Sequence, residues 1–137
     1  MPRYQLIVRS RFEAAHHLTA YRGAPEPVHG HSFRVEARVE ADALGDEGYV
    51  VDFVEIQAAL GRLTARFSHG DINSVPPFDR KSPTAEHLAE WFFQELSGWL
   101  DTHLVQGGGP GARLASVTLW EGPDCAATFL GESPDPR

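Results

Sequence analysis

The residues of this 137-residue chain best placed for chemistry are the histidines at positions 16, 29 and 31. Side chains alternate faces along a β-strand, so His29 and His31 of the His29-Gly30-His31 stretch share a side. Phe33, Val35, Ala37 and Val39 keep that parity, while Arg34, Glu36, Arg38 and Glu40 take the other. The two imidazoles therefore end the apolar face of a half-buried strand. An upstream segment reads the same way. Tyr4, Leu6, Val8, Phe12 and Ala14 share a parity that His16 continues, with Arg9, Arg11, Glu13 and His17 opposite. Antiparallel pairing of the two segments predicts three imidazoles on one face, the ligand count of a catalytic zinc (Zn2+) site with one position open. One buried histidine is usually a satisfied core residue. Three on one face point to a metal, because buried polar groups are rarely left unpaired.

The elements that must position these residues follow from periodicity and turn chemistry. The alternating segments predict strands over 4–16 and 31–41, joined by a loop from Thr19 to Val28 that carries Gly23, Pro25 and Pro27. Gly45-Asp46-Glu47-Gly48 predicts a second turn. Asp52 and Glu55 are spaced as a capping box, and Phe53, Ile56, Leu60, Leu63 and Phe67 recur at helical spacing. Ser82-Pro83 predicts a second helix with Ser82 as N-cap and Pro83 at its first position. Its buried stripe would be Leu88, Trp91, Phe92, Glu95 or Leu96, Trp99 and Leu100. The glycine-rich stretch from Gln106 to Gly111 reads as a flexible loop, and two further strands are expected near 114–121 and 126–130.

The order β-β-α-α-β-β predicts an α+β fold, an antiparallel sheet with two amphipathic helices on one face. It forms a single domain over 1–131, with a frayed tail at 132–137. Four strands leave two open sheet edges, so a homo-oligomer built through those edges is expected. A formal net charge of −7 argues against a nucleic-acid partner, and no apolar run is long enough to span a membrane. The amino-terminal segment lacks the apolar core of a signal peptide, so a cytoplasmic protein is expected. The single cysteine, Cys125, lies in the apolar stretch CAATFL and reads as a small buried hydrophobe.

Taken in order, several motifs resemble the 6-pyruvoyl-tetrahydropterin synthase and 6-carboxytetrahydropterin synthase family. They are Phe12-Glu13-Ala14-Ala15-His16, His29-Gly30-His31, Asp52-Phe53, His69 with Asn73, Pro83-Thr84-Ala85-Glu86, and Glu121. The resemblance runs from residue 4 to about 131. It implies the tunnelling fold (T-fold), trimers whose sheets close into a barrel and usually stack into hexamers, and active sites between subunits. It implies zinc on His16, His29 and His31, the trio already picked by strand parity. It also implies that Glu121 anchors the pterin ring through the 2-amino and N3 groups, and that Thr84 helps hold the ring's other edge. Read alone, Glu121 could be a solvated strand-end carboxylate and Thr84 a first-turn helix residue.

The chain departs from the family pattern at two places. The family's proton-transferring cysteine falls four to six residues before the first metal-binding histidine of the paired motif, where this chain has Gly23, Ala24 and Pro25. The family's Leu-Asp-His element reads Phe67-Ser68-His69 here, so the carboxylate that would orient His69 is missing. Glu26, three residues before His29, resembles the glutamate of a variant subfamily that cleaves dihydroneopterin triphosphate to 6-hydroxymethyl-dihydropterin. Glu26 and His69 are thus the candidate acid-base residues. The implied activity is a zinc-dependent lyase reaction on the side chain of a dihydropterin, 7,8-dihydroneopterin triphosphate above all. The alternative is a non-catalytic zinc-containing pterin or purine binder that has lost turnover. A cupin reading fails because only the first half of that metal motif is present and Glu36 points away from the histidines.

Overall fold

The computed structural model describes residues 2–103 and 108–132. Its strands are β1 (Tyr4–His16), β2 (His29–Ala41), the two-residue β3 (Gly70–Asp71), β4 (Arg113–Glu121) and β5 (Cys125–Leu130). The helices are α1 (Phe53–Ala65) and α2 (Ala85–His103), with a 3-10 turn at Ile72–Ser74. They build one sheet in the order β3-β1-β2-β4-β5. The fold class is α+β, as expected. The fifth strand is the addition: Gly70 and Asp71 pair in parallel with Ala14 and Ala15. Two residues are too few for an alternation pattern, so periodicity could not reveal it.

Alternation along β1 and β2 becomes a division between core and open face. Phe12, Ala14, Phe33, Val35, Ala37 and Val39 are buried, while Arg9, Arg11, Glu13 and Arg34 are exposed. Ile56, Ala59 and Leu60 of α1 and Leu88, Ala89, Trp91, Phe92, Leu96 and Leu100 of α2 complete the core. Phe12, Phe67 and Phe92 meet at its centre, with ring centroids 5.7–6.0 Å apart. Each such ring contributes about 1.5–3 kcal/mol by leaving water.

Two expectations about the helices are corrected. Phe53 does not join the buried stripe of α1; it is 55% exposed, beside the capping residue Asp52, whose Oδ1 accepts from Val54 N–H at 2.8 Å. Ser82 is not the cap of α2, nor Pro83 its first residue. Thr84 caps it: the Thr84 carbonyl accepts from Leu88 N–H at 2.9 Å, and its Oγ1 accepts from His87 N–H at 3.1 Å. Ser82 and Pro83 are drawn elsewhere. Ser82 Oγ accepts from Thr19 N–H, and the Pro83 carbonyl is bonded by His16.

Cys125 is also corrected: it is exposed. It opens the edge strand β5, whose inward residues Ala127 and Phe129 are only half-buried, so nothing seals the position. Of the glycine-rich loop, residues 104–107 lie outside the described residues, as does the tail from 133 to 137. Among the described residues no helix is long and apolar enough to cross a membrane.

Candidate metal centre and active site

The β1–β2 ladder ends on the pair His16↔His29, with Ala14↔His31 one rung further in on that face. Directly paired residues share a face, as do residues i and i+2, so the ladder alone gathers all three imidazoles. Phe33 forms their floor, edge-on to His16 at 5.3 Å and to His31 at 5.5 Å between ring centroids. Ring-to-ring distances among the histidines are 4.7–5.2 Å. One ring nitrogen from each lies within 4.8 Å of the others.

Two rings are fixed by backbone carbonyls. His16 Nδ1 donates to the Pro83 carbonyl and His29 Nδ1 to the Pro27 carbonyl, each at 3.0 Å. A carbonyl only accepts, so Nδ1 carries a proton, and a neutral ring of that tautomer presents Nε2 as a donor to a metal. His16 is 1% exposed. Its burial, with smaller effects from His29 and His31, lowers its pKa and so favours the neutral ring, although the Pro83 bond acts the other way. His16 Nε2 is buried without any hydrogen-bond partner. An orphaned, unprotonated ring nitrogen facing two further imidazoles fits a divalent transition-metal ion.

Two carboxylates border the triad. Glu26 Oε1 lies 3.7 Å from His29 Nε2 and accepts from Leu18 N–H at 2.9 Å. Glu26 N–H donates to the Leu18 carbonyl at 3.1 Å, so the loop is pinned at this residue. Glu121 ends β4 opposite Phe33, on the face of His31. Its oxygens lie 3.8 Å from His16 Nε2 and 4.0 Å from His31 Nε2. Burial raises its carboxyl pKa, against the pull of His31 and His29.

The remaining sequence candidates do not belong to the group of three ligand residues. Thr84 spends an oxygen lone pair on the α2 cap, and among the described residues its hydroxyl donates no hydrogen bond. His69 is exposed, with a left-handed φ of 58°, and is held to β1 by its N–H donating to the Glu13 carbonyl. Among the described residues its ring makes no hydrogen bond, and Ser68 does not orient it. His17, on the other parity, is not in the ligand group.

Sequence reasoning missed the two proline-segment carbonyls that set the ring orientation. It also missed the side chain of Asn73, which bonds both backbone groups of His17. Backbone acceptors carry no residue signature, whereas the Asn73 motif was visible without its purpose.

Over residues 5–132 the chain matches the family described as 6-pyruvoyl tetrahydropterin synthase. It belongs to that family. It is 34% identical over 124 residues to the 6-carboxy-5,6,7,8-tetrahydropterin synthase of Synechocystis, covering 87% of each chain. To the dihydroneopterin monophosphate aldolase of Pyrococcus furiosus it is 29% identical over 119 residues, covering 86% of this chain and 90% of that one. Among solved structures it resembles Plasmodium vivax 6-pyruvoyltetrahydropterin synthase carrying alanine in place of a catalytic glutamate. The TM-score is 0.70 at 20% identity, covering 92% of this chain and 96% of that one. The T-fold expected from the sequence is therefore the fold of this chain.

Proposed function

We propose that this protein is a zinc-dependent lyase acting on the side chain of a dihydropterin, with 7,8-dihydroneopterin triphosphate as substrate. The observation that carries the reading is the convergence of three imidazoles, two oriented by carbonyls, around the orphaned Nε2 of His16. His16, His29 and His31 hold the ion. Zinc held there supplies Lewis acidity toward the side-chain hydroxyls of the substrate.

Glu26, fixed beside His29 by its bond from Leu18, takes a proton from the substrate side chain. The Plasmodium vivax relative, whose catalytic residue is a glutamate, supports that choice over a cysteine. Glu121 accepts from the amino and N3 groups of the ring, and the Thr84 hydroxyl donates to its other edge. His69 serves as a second proton carrier from its exposed position, across a subunit boundary in a homo-oligomer. The protein acts in the cytoplasm.

A second reading, a pterin binder without turnover, is favoured by one observation: His69 lacks an orienting carboxylate, with Ser68 in its place. Incubating the zinc-loaded protein with 7,8-dihydroneopterin triphosphate and separating the products decides between them. Release of 6-hydroxymethyl-dihydropterin is the expected result, because Glu26, three residues before His29, resembles the glutamate of the subfamily that forms that product. 6-Carboxytetrahydropterin or 6-pyruvoyl-tetrahydropterin would keep the lyase and change the bond broken. Tight binding with no product would establish the binder.

A further inference from the structure

The sheet has a second face, turned away from both helices, and its charges do not balance pair by pair. Along β1 and β2 that face carries Arg9, Arg11, Arg34 and Arg38 against Glu13, Glu36 and Glu40. Glu36 is shared: it accepts from Arg9 Nε at 2.9 Å and pairs with Arg38 at 3.1 Å. Glu40 accepts from Arg113 of β4 at 3.1 Å, and Glu13 from the Ser32 hydroxyl at 2.6 Å. Among the described residues the side chains of Arg11 and Arg34 make neither an ion pair nor a hydrogen bond. These two stand directly opposite one another, on the rung Arg11↔Arg34.

Like charges facing one another on a rung destabilise a sheet, so the pair works against the fold. Its geometry is supported nevertheless. Arg34 pairs across the next strand with Trp120, and its guanidinium carbon lies 5.3 Å from the centre of that indole ring. A cation over an aromatic face is attracted to it, which holds this guanidinium above the sheet. A concavity of 140 Å³, lined by Arg9, Arg34, Glu36 and Trp120, opens on the same face. Arg11 stands beside it, two residues from Arg9 on β1. The one carboxylate in that lining, Glu36, is already neutralised by two arginines.

We propose that Arg11 and Arg34, with Trp120 beside them, form an anion site on the open face of the sheet that takes the phosphate chain of a small oligophosphate, free or borne by a nucleotide. Each guanidinium offers a planar fork of N–H donors that matches phosphate oxygens. Two forks side by side on neighbouring strands grip successive phosphates of one chain, which a compact single-charged anion could not bridge. The bound chain turns the like-charge rung from a cost into a contact, because both guanidiniums gain a partner at once. The histidine triad lies on the opposite parity of the same strands, so the site is separate from it and independent of the lyase reading.

Calorimetric titration of the purified protein with inorganic triphosphate, and separately with ATP, tests this at low ionic strength. The parent should bind triphosphate saturably, and added salt should weaken the binding. Arg11→Gln and Arg34→Gln should each weaken it about tenfold or more, the worth of a charge-assisted hydrogen bond. Arg62→Gln, which removes the same charge from exposed α1 surface, should leave it unchanged. Thermal unfolding gives a second readout: triphosphate should raise the midpoint of the parent and not that of Arg11→Gln. Equal affinity for the two ligands would assign the phosphate chain alone. ATP binding about tenfold tighter, with the excess lost in Trp120→Leu, would assign a nucleotide whose base stacks on the indole. No saturable binding of either ligand overturns the proposal. So does undiminished binding in Arg11→Gln, since an anion held at the histidine triad would survive that substitution. Should Arg34→Gln fail to fold, Arg11→Gln decides alone, because its side chain makes no hydrogen bond or ion pair among the described residues.

Discussion

Asn73 grips the His17 peptide from both sides. Its Oδ1 accepts from the His17 N–H at 2.9 Å and its Nδ2 donates to the His17 carbonyl at 3.0 Å. The side chain acts as one more rung of ladder beyond the end of β1, holding the backbone next to His16. Asn73 is itself held, its N–H donating to Asp71 Oδ1 at 3.0 Å just after β3. Asn73→Ala leaves two partly buried backbone groups unpaired, so it should cost about 1–3 kcal/mol in urea denaturation. It should also weaken zinc binding in chelator competition, because the segment carrying His16 loses its clamp. Asn73→Asp keeps the acceptor and loses the donor, so its effect should lie between. A variant as stable as the parent would make the clamp incidental.

Parity makes a sharp prediction about neighbours. His16→Ala should abolish stoichiometric zinc, whereas His17→Ala should keep one ion per chain in metal analysis. The reverse result would require the β1–β2 register to slip by one residue, which exchanges the two faces of the strand.

That register also shows how much was legible in the sequence. Period-2 alternation ran uninterrupted from Phe33 to Val39 and placed His29 and His31 on the core face, where the structure has them. The helix start at Thr84 was not legible. Ser82-Pro83 carries the stronger local signal, yet the Pro83 carbonyl is taken by His16 from the far side of the chain, a contact of sequence separation 67. Glu26 was visible as the acidic residue of its loop, but its bond from Leu18 depends on how the loop closes. The approach of Glu121 to His16 needs the β2–β4 register, which no local pattern encodes. Local alternation chose the faces, and long-range pairing chose the neighbours.

Burial of His16 predicts a pH response in the metal-free protein. The folded ring gives up its proton more readily than the unfolded one, chiefly because burial disfavours the charged form. Its contribution to stability is therefore fully present above the ordinary histidine value of about 6.5 and is lost as pH falls through the lowered folded value. Glu121 works in the opposite sense. Its raised pKa favours the folded state below about 4.3, and that contribution is lost as pH rises through the folded value. Between pH 7 and 5.5 the His16 effect should dominate the difference between proteins: the denaturation midpoint of the stripped parent should fall more steeply than that of His16→Gln. Equal slopes would mean that His16 titrates alike folded and unfolded.

The sheet edges predict association. Among the described residues β1 pairs on its outer side only through Ala14 and Ala15, with the Arg9 carbonyl capped by Gln57 at 2.8 Å. β5 closes the other end of the sheet order, and Leu130 there is 74% exposed. Ile7, Phe53 and Val54 add apolar surface near the β1 edge, at 42%, 55% and 77% exposure. Unprotected edges of this kind pair with further strands. Sedimentation at micromolar concentration should give a trimer or hexamer, and a mass of 15.1 kDa, that of one chain, would refute it.

Glu26 separates the enzyme from the binder. Its Oε1 both accepts from Leu18 N–H and lies 3.7 Å from His29 Nε2, so a substitution must preserve the loop to test the chemistry. Glutamine does: its amide oxygen still accepts from Leu18, while the basicity of the carboxylate is gone. Glu26→Gln should therefore keep zinc, pterin affinity and thermal stability, and lose about a hundredfold or more in turnover, the usual worth of a positioned base. Glu26→Ala should lose as much turnover and also loosen the loop, lowering stability by about 1 kcal/mol. His69→Ala should cost less than Glu26→Gln, because Ser68 gives that imidazole no charged partner. The decisive measurement is single-turnover product formation with parent and Glu26→Gln proteins at saturating substrate. If both convert substrate at the same rate, the carboxylate only staples the loop at Leu18, and the proton moves through His69 or a metal-bound water.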